Sequence, residues 1–338
     1  MIWDYSDLLH DNSEYAYETG VIRALETRLL DQTHYSRMIE AKRFQDAFLI
    51  LHDTTYGKNI KENKDYDEVL EDEFKNVIKF FETSCKDKYV EEYYKSGFDI
   101  HNLKMFIKSK ISNNKLKNNM LSEYGMFPYE IYLISMENDN LDNIPEPYKT
   151  FAKNALGFYN DNKDVELLDI YIDNLYFTWR SELINKSNNF YLINLDKEEI
   201  TLINIKTFAR LLYFKNIKNA DEAILDNGFI NKDIFLLNRS ENLNHIYSYF
   251  NNTPYEKIVK NGYSYLVKNN SFSHLEKLCE NRLVQIAKST KSGIFGIEIV
   301  FAYLMAKENE IKRLRIILSG KKNNVAKEVI KERLPEMY

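Results

Sequence analysis

Glycine and proline are scarce: ten and five in 338 residues, about 4% together against roughly 12% in average usage. So few backbone breakers cannot punctuate a many-turned β fold, and a mostly helical chain is expected. The two cysteines, Cys85 and Cys279, lie far apart with no CxxC spacing. That excludes a disulfide framework and a cysteine zinc site and predicts reduced, cytosolic thiols, under which the sequon Asn238-Arg239-Ser240 carries no meaning. The six histidines, at positions 10, 34, 52, 101, 245 and 274, never pair at i, i+4 for a metal. Gly57-Lys58 and Gly320-Lys321 lack the upstream glycine and the following Ser/Thr of a phosphate loop, and GxGxxG and GxSxG are missing. No cofactor is expected.

Long apolar runs are also lacking. The longest, from Ile294 to Ala306, is interrupted by Glu298 and falls short of the ~20 residues that span a bilayer. Asp4, Asp7 and Asp11 replace the basic start of a secretory signal. The expected protein is therefore neither exported nor membrane-spanning. The basic run Lys104, Lys108, Lys110, Lys115 and Lys117 near Phe106 is a local argument for nucleic acid, but a net charge of −5 and the absence of an interleaved aromatic motif count against that partner.

What the chain has is aromatic residues, 25 Tyr and 20 Phe, enough for a large core and for contact surfaces. Its ends are oppositely charged: residues 1–31 hold seven acids against Arg23 and Arg28, and residues 307–338 hold nine Lys or Arg against five Glu. The acidic first helix is expected to meet basic C-terminal residues, in exposed pairs worth ~0–1 kcal/mol each.

Self-comparison exposes a repeat. Ile100-His101-Asn102-Leu103-Lys104-Met105-Phe106-Ile107 recurs as Leu202-Ile203-Asn204-Ile205-Lys206-Thr207-Phe208-Ala209 and as Ile311-Lys312-Arg313-Leu314-Arg315-Ile316-Ile317-Leu318. A turn followed by tyrosine (Tyr56, Tyr148, Tyr255) precedes each copy, and Gly125–Leu133 resembles Gly228–Leu236. Apolar spacing within the copies is helical, as in Leu167, Leu168, Tyr171, Ile172, Leu175 and Tyr176. Asn-rich stretches near 112–119, 138–143, 185–189 and 268–271 read as loops. The sequence thus predicts an all-α protein of three similar helical units, 1–118, 119–218 and 219–338, able to close about a pseudo-threefold axis. In the last copy Ile311, Leu314, Ile317 and Leu318 share one arc with Ile316 opposite, so that helix should be buried on two sides. Glu308–Lys312 and Glu310–Arg313 are placed to pair along it.

One enzymatic alternative uses carboxylates. An all-α isoprenoid synthase needs acidic clusters on facing helices, and Asp67, Glu68, Glu71 and Asp72 offer one. The only partner set, Asn138, Asp139, Asp142 and Glu146, is broken by Pro145 and Pro147. The simpler reading is a solvated acidic helix.

Tyr17 to Leu30 (YETGVIRALETRLL), Leu51-His52-Asp53-Thr54-Thr55-Tyr56-Gly57, Asp99 to Lys104, and above all Glu298 to Lys321 (EIVFAYLMAKENEIKRLRIILSGK) are similar to the successive signatures of the C subunit of V/A-type ATPases, known as the d subunit in eukaryotic complexes. Val21 and Ile299 depart from that pattern, standing where arginine and proline are common. The resemblance implies a funnel of helices in three units about a pseudo-threefold axis and a non-catalytic component of the central stalk. It would couple the shaft of the soluble ATPase head to the membrane proteolipid ring, on the cytoplasmic side and peripheral to the membrane. The family-like block supplies the expected partner contacts, Glu298, Tyr303, Glu308, Arg313 and Arg315. Arg313 and Arg315 sit about 200° apart on their helix and cannot share one cavity.

Overall fold

A computed structural model of the chain describes residues 4–60, 64–216, 218–237 and 247–338; the sequon at 238–240 and His245 lie outside them. Among the described residues the regular elements are helical throughout, with no strand. In chain order the α-helices are α1 Ala16–Glu26, α2 Gln32–Glu40, α3 Phe44–Leu49, α4 Tyr66–Ser84, α5 Lys88–Ile111, α6 Glu130–Glu137, α7 Tyr148–Asn162 and α8 Val165–Asn185. There follow α9 Phe190–Tyr213, α10 Ala220–Ala223, α11 Lys232–Leu237, α12 Glu256–Asn269, α13 Ser273–Ser289, α14 Ile297–Lys322 and α15 Lys327–Arg333.

Acidic and amide side chains start these helices. Asp31 and Asp65 form capping boxes with His34 and Glu68, and Asp87, Asp164 and Asn189 accept first-turn N–H groups. Asparagine ends many of them. Among the described residues nine non-glycine residues adopt positive φ, namely Asn113, Asp139, Lys163, Asn188, Lys215, Asn227, Asn252, Asn270 and Asn324. Asn tolerates the left-handed conformation better than other side chains that carry a Cβ, so the Asn-rich stretches fill the role that glycine has elsewhere. This is how so few glycines suffice.

The three copies of the repeated motif form the C-terminal halves of α5, α9 and α14. All three helices end in the same Schellman geometry. Asn113, Lys215 and Asn324 take the left-handed position, and the next N–H reaches back to Ser109, Leu211 and Gly320 at 3.0, 3.0 and 2.8 Å. The caps align the helices in the register that aligns Leu103, Ile205 and Leu314, so side-chain pattern and backbone ending agree independently.

The chain forms two compact units, Met1–Lys86 with Leu243–Tyr338, and Asp87–Asn242. In the first, α14 is the central element and packs on α1, α2, α3, α4, α13 and α15. Its core joins Tyr35, Met38, Leu51, Tyr56, Val69 and Leu70 to Ile311, Leu314, Ile317 and Leu318. In the second, α5 packs on α6, α7 and α8, and α8 on α9 and α10. There Leu103, Phe106 and Ile107 meet Tyr132, Tyr148, Phe151 and Ile172. Repeats and compact units are different divisions for a physical reason. The long helix α5 of the first copy buries its apolar face against α7 and α8 of the second, and α14 of the third copy packs on α4 of the first. Each of these two helices completes the core of another copy.

Candidate functional site: the last long helix and its charges

α14 spans 26 residues and carries all five expected contact residues. Ile297 to Leu304 are buried without a break, so its first two turns are enclosed on every side. Farther along, Ile311, Leu314, Ile317 and Leu318 are buried and Ile316 is half-buried. A helix enclosed to this degree must pair any charge it carries, because an unpaired buried ion costs several kcal/mol.

Lys307, 3% exposed, lies 2.6 Å from Glu310 Oε1 and 2.9 Å from Glu73 Oε1 on α4. Tyr56 OH donates to Glu310 Oε1 at 2.8 Å, and the Leu30 N–H donates to Oε2 at 2.6 Å. The ammonium also sits 4.7 Å over the Tyr56 ring. Burial works to lower the Lys307 pKa, but Glu310 and Glu73 outweigh it and hold the amine above its ordinary range. Burial, reinforced by Glu310, pushes the Tyr56 phenol up, so it stays a proton donor. One turn on, the Arg313 guanidinium lies 4.2 Å over the Tyr35 ring and donates to the Pro335 carbonyl. The cluster ties α14 to α4, to the 3₁₀ turn Thr55–Asn59 and to the end of the segment after α1. Its polar groups face one another, which suits a rigid joint.

The expected contact residues scatter. Glu298 is buried in the first turn, where its Oε2 occupies the space a Cβ on Gly296 would need. Tyr303 is buried edge-on against Phe80, ring centroids 5.8 Å apart, and burial raises its phenol to about 12. Glu308 is half-buried and Arg313 is buried, whereas Arg315 stays about half exposed. Arg315 reaches Asp67 Oδ1 at 3.2 Å and Glu71 Oε2 at 4.0 Å. Two carboxylates of the enzymatic alternative thus face a guanidinium, and a third, Asp72, pairs with Lys64. Among the described residues no three His, Cys, Asp or Glu converge as a metal site.

Two pairings differ from the local expectation. Glu310 takes Lys307 rather than Arg313, and Lys312 reaches out to Glu280 on α13. Helical spacing offers Glu310 two neighbours at i±3, and it takes Lys307, the one buried with it beside Glu73, whereas the exposed Lys312 reaches across to another element. The chain ends do meet: α1 packs on α14. The ion pairs, however, use other acids. Lys327 and Lys331 each lie 2.8 Å from Glu40, whose carboxyl their hydrogen bonds hold at about 2, and Lys322 lies 2.8 Å from Asp65.

The second unit contains a buried cluster that sequence reading missed. Arg180 lies 2.6 Å from Asp196 and 3.0 Å from Glu199, stacked over Tyr93 and Phe177. Ser181 donates to Asp196 at 2.6 Å. Its only trace in the sequence is an arginine within the apolar pattern of α8.

The family model described as ATP synthase (C/AC39) subunit matches residues 19–333. The C subunit of the V-type sodium ATPase of Enterococcus hirae is 23% identical over 330 residues, 96% of this chain and 99% of that protein. The C subunits of the A-type ATP synthases of Pyrococcus furiosus and Methanococcoides burtonii are 24% and 25% identical, over 100% and 96% of this chain and 92% and 94% of theirs. The likeness runs end to end in both directions.

Proposed function

We propose, from the premise that this chain belongs to the ATP synthase (C/AC39) subunit family, that it is the non-catalytic coupling of its rotary ATPase. On this reading it receives the central shaft of the soluble head and passes torque to the membrane proteolipid ring, lying on the cytoplasmic side. The observation that carries the reading is the match across nearly the whole chain to proteins named as the C subunit of V-type and A-type enzymes. Two features support a mechanical role. Among the described residues no helix is long and apolar enough to cross a membrane. And α14 packs on six helices with Lys307 locked between Glu310 and Glu73, and close-packed interiors of this kind have low compressibility. Of the expected contact residues Arg315 is exposed and Glu308 half-buried, and these two are the contacts that the reading keeps.

The test is a strain lacking this chain. The detached soluble head should keep its ATP hydrolysis while ATP-driven ion transport by membranes is abolished. Loss of hydrolysis in the isolated head would place the chain in the catalytic machinery and refute the proposal.

A further inference from the structure

α14 carries one buried charge that the cluster around Lys307 does not account for. Arg313 is 5% exposed, lies over the Tyr35 ring and donates through Nη1 to the Pro335 carbonyl. Its Nε–H has no acceptor, and among the described residues no carboxylate comes within ion-pair distance of it. Glu310, three residues back, is engaged by Lys307, Tyr56 OH and the Leu30 N–H. A ring face and a neutral carbonyl solvate a guanidinium without neutralising it. The two buried cations of α14 accordingly shift in opposite directions. Burial lowers Arg313 in spite of Tyr35 and Glu310, whereas Glu310 and Glu73 outweigh burial at Lys307 and raise it.

Arg313 stands in the wall of a cleft of about 530 Å³ formed by α2, α13, α14, α15 and residues 334–338. Among the described residues that line it, Lys277, Lys288 and Lys331 are further cations and Glu336 is the one carboxylate. Two of these lysines have acids of their own: Lys331 lies 2.8 Å from Glu40, and Lys288 lies 3.9 Å from Glu336. Lys277 does not. Its ammonium donates to the carbonyls of Lys331 and Glu332 at 3.5 and 3.0 Å, while the Glu332 carboxylate accepts from Tyr265 OH. The cleft therefore holds two cations, Arg313 and Lys277, that are anchored by carbonyls of residues 331–335 rather than by acids.

We infer that this cleft binds a small phosphate monoester, with Arg313 and Lys277 as its principal contacts. A phosphate monoester carries roughly 1.5–2 negative charges near pH 7, which matches two cations without acids. A carboxylate would neutralise only one of them. The planar fork of arginine suits phosphate oxygens, lysine adds a point charge, and the bound anion supplies the counter-ion that the buried guanidinium lacks. Lys288 and Lys331 strengthen the positive field that draws an anion in. The volume falls within the ~300–1,000 Å³ of small-molecule sites, leaving room for a small organic group beside the phosphate. The inference goes beyond the coupling role and does not depend on it.

The test uses the full chain, dialysed to equilibrium against labelled glycerol phosphate at fixed ionic strength. One site per chain should saturate below about 10 mM. Lys277→Gln should weaken binding about tenfold, the effect of one charge-assisted hydrogen bond, with thermal unfolding unchanged. Arg313→Gln should abolish binding, and Lys79→Gln, which removes an exposed charge on α4, should leave it as it was. The Lys277 and Lys79 variants carry the test by themselves if the Arg313 variant does not fold. Absence of saturation, or equal binding by the Lys277 and Lys79 variants, overturns the inference. Phosphatidylcholine vesicles with and without phosphatidic acid then assign the source. Co-sedimentation that requires phosphatidic acid and is lost in Lys277→Gln makes the natural ligand a lipid headgroup; saturable binding of glycerol phosphate without co-sedimentation makes it a soluble phosphate ester.

Discussion

At the scale of single residues, the charges of α14 set the sharpest expectations. Lys307 neutralises both Glu73 and Glu310, so Lys307→Met leaves two buried carboxylates without their cation and should cost about 3–5 kcal/mol in denaturant unfolding. The triple replacement Lys307→Met, Glu73→Gln, Glu310→Gln removes cation and charges together and should cost less than the single change. If it costs more, the cluster stabilises the fold beyond mutual neutralisation. Asp99 gives the pH dependence. Burial raises its carboxyl to about 6, against the backbone hydrogen bonds that favour the ion. Between its ordinary value near 4 and about 6 the folded state then binds more protons than the unfolded state, so stability falls as pH rises through that window and levels off above it. Burial also raises the carboxyls of Asp173 and Glu199, adding slope of the same sign. Asp99→Asn should flatten the decline measured by unfolding at pH 4 to 7, and an unchanged slope would assign the effect to the other carboxyls.

At the scale of helices, the left-handed endings are the feature to alter. Lys215 closes α9 at φ 55°, a conformation that costs a β-carbon residue roughly 1 kcal/mol and glycine little. Lys215→Gly is expected to raise stability by up to about 1 kcal/mol in chemical denaturation, and a loss would mean that the lysine side chain contributes more than its backbone strain removes. The helices themselves were legible because their cause is local: apolar spacing, acidic and amide caps, and Asn-rich breaks all lie in short windows. The repeat register was legible for the same reason, and the caps reproduce it. The partners of Arg180 and Lys312 were not, since each lies on another element, and spacing alone did not tell whether Glu310 would take Lys307 or Arg313. The contact residues expected from the family-like block included Glu298, Tyr303 and Arg313, which the fold buries, because a sequence signature marks packing and binding residues alike.

At the scale of the whole molecule, sequence repeats and compact units part company because α5 and α14 each complete the core of another copy. Self-comparison of the sequence picks out the repeated motif, but that exchange is a long-range choice among three similar helices and left no mark in any one of them. It has a consequence in time. α4 ends at Ser84, and the helix it packs on begins at Ile297. On a ribosome adding roughly 5–20 residues per second, the apolar face of α4 waits about 10–40 s for its partner to be made. Throughout that interval Val69 and Leu70 lack the part of their core that Ile311, Leu314, Ile317 and Leu318 supply, and the carboxylate of Glu73 lacks Lys307. A helix made early is therefore among the last to be finished, and the nascent chain depends on whatever shelters an exposed amphipathic helix in the meantime.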